Sequence, residues 1–392
     1  MTKKKKTKTA STSLLVLLLA LCSCQACSDG GEGDGQVDAG PSTTNPDGLR
    51  KLAFKSLATE DAFPAIALSS DETQVISCSG LGKVAFFDAR TLARGKVLDL
   101  TELATPKVES YCRISVIGDH AYAYYGNMRP EDPKRVFKVS VAKREVEAVW
   151  TVDEKLFDQD DFTSSGSEFS GVLPTAEPNV GLALIGLEVE LPKDAPDPGI
   201  QPLYVDLETG AFRREKVCDV AGMETQRLCT AFAAGGRIVG TAWMHAFGVD
   251  PFDFIVDVES RSLVKLSSKA YWDFFDVDEE TGQLLNGGLP SEGFKVYDLK
   301  SGAERLSFES PAPGFNVSAR LLPGRHLAAI VEAINTEPLS FVTLVSTRTG
   351  EKVASAWLPD DGTSGTTVSR DGRRIYVAAL EHLFLVEVPA DL

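Results

Sequence analysis

The sequence predicts an all-β chain assembled from repeated four-stranded antiparallel sheets. Three features predict it: short apolar runs with the two-residue alternation of strands, polar turns at regular intervals, and one hairpin pattern that recurs six times. Residues 65–100, AIALSSDETQVISCSGLGKVAFFDARTLARGKVLDL, show the unit. A strand (Ala65 to Leu68) leads through a turn (Ser69 to Thr73) into a second strand (Gln74 to Ser77). A glycine turn (Gly80 to Gly82), a third strand (Lys83 to Asp88), another turn and a fourth strand (Gly95 to Leu100) follow. Turns this short join strands that are neighbours in space, so the four make one sheet.

The third strand of the unit ends in an apolar pair followed by Asp or Ser and a polar turn. VAFFDARTLARGKV, FKVSVAKREVEAV, LYVDLETGAFRRE, FIVDVESRSLVKL, KVYDLKSGAERLSF and TLVSTRTGEKVASAW are versions of it. The marker residue falls at Asp88, Ser140, Asp206, Asp257, Asp298 and Ser346, in steps of 52, 66, 51, 41 and 48 residues. A last copy, TTVSRDGRRIYVAALEHLFLVEV, has three strands and no fourth. Six full copies and one incomplete copy predict a seven-bladed β-propeller spanning residues 49–392, with six or eight blades as the alternatives. RKLAFKSLAT, residues 50–59, alternates correctly and is free to supply the missing outer strand, which closes the ring and removes a sheet edge. The third copy is lengthened by EVELPKDAPDPGIQ, residues 188–201, whose three prolines read as a protruding loop.

Ahead of the repeats the chain changes character. MTKKKKTKTASTS is basic, LLVLLLAL (residues 14–21) is apolar, and Cys22, Cys24 and Cys27 follow at once. Eight apolar residues are too few for a bilayer that needs about 20, so the segment reads as an export signal. The cysteines resemble the lipobox of bacterial lipoproteins, with Leu21 at −3 and Ser23 at −1 of Cys24. That resemblance implies a signal peptide over residues 1–23 and lipid on Cys24, with Cys22 as the second choice. Gln25 in the next position implies delivery to the outer membrane of a Gram-negative cell. A zinc reading of the three cysteines would need a fourth ligand on a folded scaffold, which neither neighbour offers. Residues 28–48 hold six glycines, five acids and no base, and read as a tether reaching about 25 Å.

From Cys24 onward there are 35 Lys and Arg against 56 Asp and Glu, a net charge of −21 with His neutral. Nucleic acid is therefore excluded as a partner, because phosphate binding needs basic side chains. The turns S-x-D-x-x-x-V (Ser69, Asp71, Val75; Ile375 in the copy from Ser369 and Asp371) and V-D-x-x-T-G (Val205, Asp206, Thr209, Gly210) resemble those of WD40-like and YVTN-type repeat propellers. The paired Gly-His and Trp-Asp of true WD40 units are missing as repeating pairs.

Local motifs for chemistry are sparse. His120, His245, His326 and His382 have no metal-ligand spacing, no nucleophile elbow or phosphate loop is present, and DQDD (158–161) and DVDEE (276–280) read as solvated loop acids. No metal or cofactor is expected. Cys218 and Cys229 flank the crossing between two blades and are candidates for a disulfide, whereas Cys78 and Cys112, in strands of adjacent blades, read as small core residues. Trp243, Trp272 and Trp357 read as core. The expectation is a lipid-anchored, extracytoplasmic module that binds another envelope protein, with a propeller enzyme (a lactonase-like hydrolase or quinoprotein-like dehydrogenase working at the channel mouth) as the alternative.

Overall fold

The computed structural model describes residues 48–59, 65–104, 111–126, 135–152, 169–175, 177–185, 187–189, 203–215, 226–234, 237–243, 252–257, 259–266, 274–287, 293–311, 315–334, 339–360 and 365–392. The signal segment, Cys24 and the tether up to residue 47 lie outside them. Among the described residues no helix is long and apolar enough to cross a membrane.

The strands come in the order the sequence predicts. Two precede the repeats, β1 (Arg50–Lys51) and β2 (Ala53–Ala58). The first blade holds β3 (Ala65–Leu68), β4 (Gln74–Ser79), β5 (Lys83–Asp88) and β6 (Arg94–Asp99), and is followed by a single helical turn, α1 (Thr101–Ala104). Blade 2 holds β7 (Tyr111–Ile117), β8 (His120–Gly126), β9 (Arg135–Ser140) and β10 (Glu145–Thr151). In blade 3 are β11 (Phe169–Pro174), β12 (Val180–Ile185), β14 (Leu203–Asp206) and β15 (Phe212–Arg214), with the short β13 (Leu187–Val189) between. Blade 4 has β16 (Gln226–Ala234), β17 (Arg237–Trp243), β18 (Phe252–Asp257) and β19 (Ser262–Lys265). Blade 5 has β20 (Phe274–Asp278), β21 (Gln283–Gly287), β22 (Phe294–Asp298) and β23 (Glu304–Phe308). Blade 6 has β24 (Phe315–Leu322), β25 (Leu327–Ile334), β26 (Leu339–Ser346) and β27 (Lys352–Leu358). The last has β28 (Gly365–Val368), β29 (Arg374–Ala378) and β30 (His382–Glu387).

These strands make seven sheets, and the first strands of successive sheets touch in a closed cycle from β3 through β7, β11, β16, β20, β24 and β28 back to β3. A ring of seven blades with the first strands inside is the only arrangement that satisfies this. The hydrophobic clusters lie between blades. Ile76, Cys78 and Phe86 of blade 1 pack with Cys112, Ala123 and Phe137 of blade 2, and Leu344 and Ala356 of blade 6 pack with Val377 and Phe384 of blade 7. Each middle strand is thus covered on both sides, which is why stretches such as VAFF and YVAA run apolar without alternating.

The ring closes as expected, with one addition. β2 pairs antiparallel with β30 from Ala53 opposite Glu387 to Ala58 opposite His382, and completes the three-stranded last blade. Before it, β1 turns aside and pairs parallel with β27 of blade 6, Arg50 opposite Ala354 and Lys51 opposite Ser355. Leu52, between the two strands, is fully buried in the core shared by blades 6 and 7, and its amide donates to the Ser355 carbonyl at 2.8 Å. The closing segment therefore stitches two blades, not one.

The insertion of blade 3 also differs from expectation. Its first residues are not loop: β13 pairs antiparallel with β16 of the next blade, Leu187 opposite Leu228. Residues 190–202 lie outside the described residues.

Candidate functional site: two faces and a channel wall

Each antiparallel sheet sends its first-to-second and third-to-fourth turns to one end and all other connections to the opposite end. On the first end, the turn face, no connection exceeds five residues by the strand bounds; on the second, the loop face, they reach 17 residues (152–168).

The turn face is built by the marker residues. Asp88 Oδ1 accepts the amides of Arg90 and Thr91 and the Thr91 hydroxyl at 2.8–2.9 Å. Asp206 takes the same three bonds from Glu208 and Thr209, and Asp298 from Lys300 and Ser301. Asp257 binds Ser260, and the serine variants Ser140 and Ser346 accept more weakly at 3.2–3.3 Å. Four positions after each marker the backbone has positive φ: Leu92, Arg144, Gly210, Arg261, Gly302 and Gly350. Side-chain capping of the turn and one left-handed residue are the local chemistry that makes this hairpin repeat. The bonds favour the ionised acid. Amide and hydroxyl donation from Thr91, Thr209 and Ser260 lowers the pKa of Asp88, Asp206 and Asp257, and Ser301, aided by Arg305, lowers Asp298 to about 2.

The inner turns are tied to each other across blades. The Gly324 amide donates to Asp278, Arg325 Nε to the Asp371 carbonyl, the Arg370 amide to Glu72, and Ser70 to the Gly118 carbonyl. Arg374 adds an ion pair to Glu72 at 2.8 Å. Blades 5, 6, 7, 1 and 2 are linked in sequence by these contacts. The chain also enters on this side: the Arg50 guanidinium forks onto Asp391 at 2.8 and 3.2 Å, and Arg325 reaches the Pro389 carbonyl.

The channel wall carries a polar cluster over three inner strands. Arg320 of β24 lies 3.8 Å from the Asp276 carboxylate of β20 and donates to the Thr366 carbonyl of β28. Asp276 also accepts the Leu321 amide at 2.6 Å, and Ser318 donates to the Thr366 hydroxyl. Burial raises the pKa of Asp276, against the opposing pull of Arg320 and the amides. The expectation that DVDEE is a solvated loop is thus corrected for its first half, since Asp276 and Asp278 belong to β20 and bond across to β24. Inner strands of blades 3, 4 and 6 each have an irregularity in register near their loop-face ends, at Phe169/Gly171, Leu228/Thr230 and Asn316/Ser318. Bulges of this kind re-aim side chains at a rim.

The cysteine reading needs one correction. Cys78 on β4 and Cys112 on β7 are buried in the shared core as expected, but they form a disulfide between blades 1 and 2, with Cα atoms 6.0 Å apart. Burial made both look like ordinary core thiols in sequence, and only their placement in facing strands of adjacent blades brings the sulfurs together. For the other pair, Cys218 lies outside the described residues and Cys229 sits at the irregularity in β16. The histidines stay apart: His120 meets Glu147 at 2.8 Å, His326 meets Gln283 and His382 meets Asp360 at 2.9 Å, while His245 lies outside the described residues. Trp357 packs edge-on against Phe341, Trp243 ends β17, and Trp272 and DQDD lie outside. Among the described residues no three His, Cys, Asp or Glu side chains converge to hold a metal.

No family model and no curated protein matches the chain. Solved structures do. BamB from Moraxella catarrhalis is similar over 84% of this chain and 86% of its own, at 13% identity and a TM-score of 0.50. The WD40 repeats of RRP9 are similar over 87% of this chain and all of theirs, at 9% identity and a TM-score of 0.58. At such identities the likeness shows the fold: a WD40-like, seven-bladed β-propeller.

Proposed function

We propose that this chain is a lipid-anchored, extracytoplasmic propeller of a Gram-negative outer membrane that binds another envelope protein through its loop face and does no chemistry of its own. The observation that carries the binding half is the inequality of the two faces. One is closed by short, internally bonded turns, while the other carries every long connection of the molecule. Variable chain on a rigid ring is how propellers and other scaffolds present recognition surfaces.

The address rests on the basic, apolar and cysteine-containing leader, with Cys24 as the lipidated residue. The Cys78–Cys112 disulfide fits an oxidising compartment, and Cys218 with Cys229 would suit it equally.

Purification from solubilised membranes after mild crosslinking tests both halves. The expected result is a mature chain carrying palmitate on Cys24 together with a stoichiometric envelope protein. Palmitate retained by Cys24→Ala would overturn the anchor, and recovery of the chain alone would overturn the binding.

A further inference from the structure

Among the residues whose side chains are described, three large apolar ones are exposed: Leu81 (64%), Leu380 (49%) and Val149 (40%). Val149 lies on an outer strand, but the two leucines occupy equivalent places. Leu81 is at the tip between β4 and β5 of blade 1, and Leu380 at the tip between β29 and β30 of blade 7. Both tips are on the loop face, on blades that are neighbours and share a core in which Ala378 and Leu383 pack with Ile66, Val75 and Phe87.

Each leucine leaves about half or more of its surface in solvent and belongs to none of the buried clusters. Yet both are held firmly. The Gly82 amide donates to the Ser79 carbonyl at 3.1 Å and the Leu100 amide to the Gly82 carbonyl at 2.7 Å, and Leu81 lies three residues beyond the Cys78 staple. Across the seam the Ala379 amide donates to His382 at 2.8 Å, the Glu381 amide to Asp360, and the Thr59 amide to Glu381. An apolar tip fixed in advance loses little conformational freedom when a partner covers it. The surroundings are acidic: Glu381 is exposed beside Leu380, and Asp99 and Glu102 are exposed beside Leu81, with Lys83 the one base next to them.

We propose that the Leu81 and Leu380 tips form one docking surface across blades 1 and 7, and that it accepts a protein segment whose apolar side chains are flanked by Lys or Arg. Charge chooses the occupant, because the acidic border of a chain at −21 repels an anionic bilayer and attracts a basic segment. This deepens the binding reading above and rests on it only in taking the partner to be a protein.

The test is selection from a random-peptide display library against the full mature chain, followed by binding to Leu81→Ser/Leu380→Ser and, as a matched control, Val149→Ser. Enriched peptides are expected to pair apolar with basic residues and to bind the double variant roughly tenfold or more weakly, with the control unchanged. The double variant should keep its melting temperature. Peptides that bind it as well as the parent, an acidic enriched set, no enrichment, or leucine-dependent sedimentation with phosphatidylcholine vesicles would each overturn the proposal. Co-purification of an envelope protein that still binds the double variant would leave the broader reading standing and remove only this surface.

Discussion

The two faces of the propeller are made from the same strands and differ in what joins them. On the turn face each third-to-fourth connection contains its own explanation. An Asp or Ser accepts from one to three of the next donors, a left-handed residue follows, and the chain reverses. On the loop face the connections range from three residues to 17, and the short tips at Gly82 and Glu381 bond to other strands and blades. The hairpins are therefore stabilised locally on one side, while the other side carries the longest connections. Four perturbations can break or sharpen that contrast.

The closing segment should give the largest effect, because it belongs to both faces at once. Deleting residues 50–58 removes Leu52 from the core of blades 6 and 7, Phe54 from its edge-on contact with Phe384, and the whole outer strand of blade 7. Loss of cooperative unfolding is expected, since one fully buried large side chain alone is worth about 2–5 kcal/mol. Deletion of 28–47 should leave the thermal midpoint where it was. Equal tolerance of both would show that blade 7 is complete without β2.

Next comes the staple near the loop face. Cys78→Ala/Cys112→Ala opens a loop of 34 residues, and the chain-entropy account puts the loss at about 3–4 kcal/mol. Denaturant midpoints with and without reductant check it. The parent should shift when reductant is present during unfolding, and the double variant should shift by clearly less, whatever Cys218 and Cys229 contribute. A parent indifferent to reductant would mean the two thiols are unpaired in solution.

The ring, its closure and the turn face were legible in the sequence because each is written in residues close together. The six markers are one motif, and an incomplete seventh copy beside a spare strand at 50–59 leaves one closure. What the sequence hid is non-local. Arg50 and Lys51 look like the start of β2, yet pair with a blade some 300 residues away. Asp276 looks like a turn acid until Arg320 and the Leu321 amide are brought to it by the neighbouring blade. The disulfide was missed for the same reason, as nothing local distinguishes Cys78 from a valine. Leu81 and Leu380 carry no signal at all except in the folded ring, where they alone among tip leucines of the described residues stay uncovered.

A third perturbation separates the left-handed positions of the turn face from each other. A Cβ on Gly210 would lie 2.3 Å from the Trp150 ring, with φ at +73, so Gly210→Ala should cost about 2–3 kcal/mol through strain and displaced packing. Arg261 holds the equivalent backbone at φ 53 with its side chain exposed. Arg261→Gly should therefore cost far less than Gly210→Ala, staying within about 1 kcal/mol of the parent, as relief of strain offsets the added freedom of the unfolded chain and the loss of the side chain. Urea midpoints of the two variants should separate accordingly. Equal losses would mean that the two left-handed positions carry the same strain.

The smallest effect contrasts the turn face with the channel wall through pH. Asp298 has a folded pKa of about 2 against an ordinary 3.8, and Asp88, Asp206 and Asp257 are lowered in the same way by their turn amides and hydroxyls. A lowered pKa contributes stability that is complete above the unfolded value and is lost as pH falls from it through the folded value. These acids thus make the propeller less stable below about pH 4. Asp276 has the opposite sign: burial raises its pKa, so its protonation on acidification favours the folded state and opposes the loss. Asp298→Asn should accordingly flatten the fall in urea midpoint between about pH 5 and about pH 3, and Asp276→Asn should steepen it. If both substitutions changed the slope in one direction, Asp276 would have to sit in a setting like that of the turn acids, and the channel wall would be wetter than its packing between β20 and β24 implies.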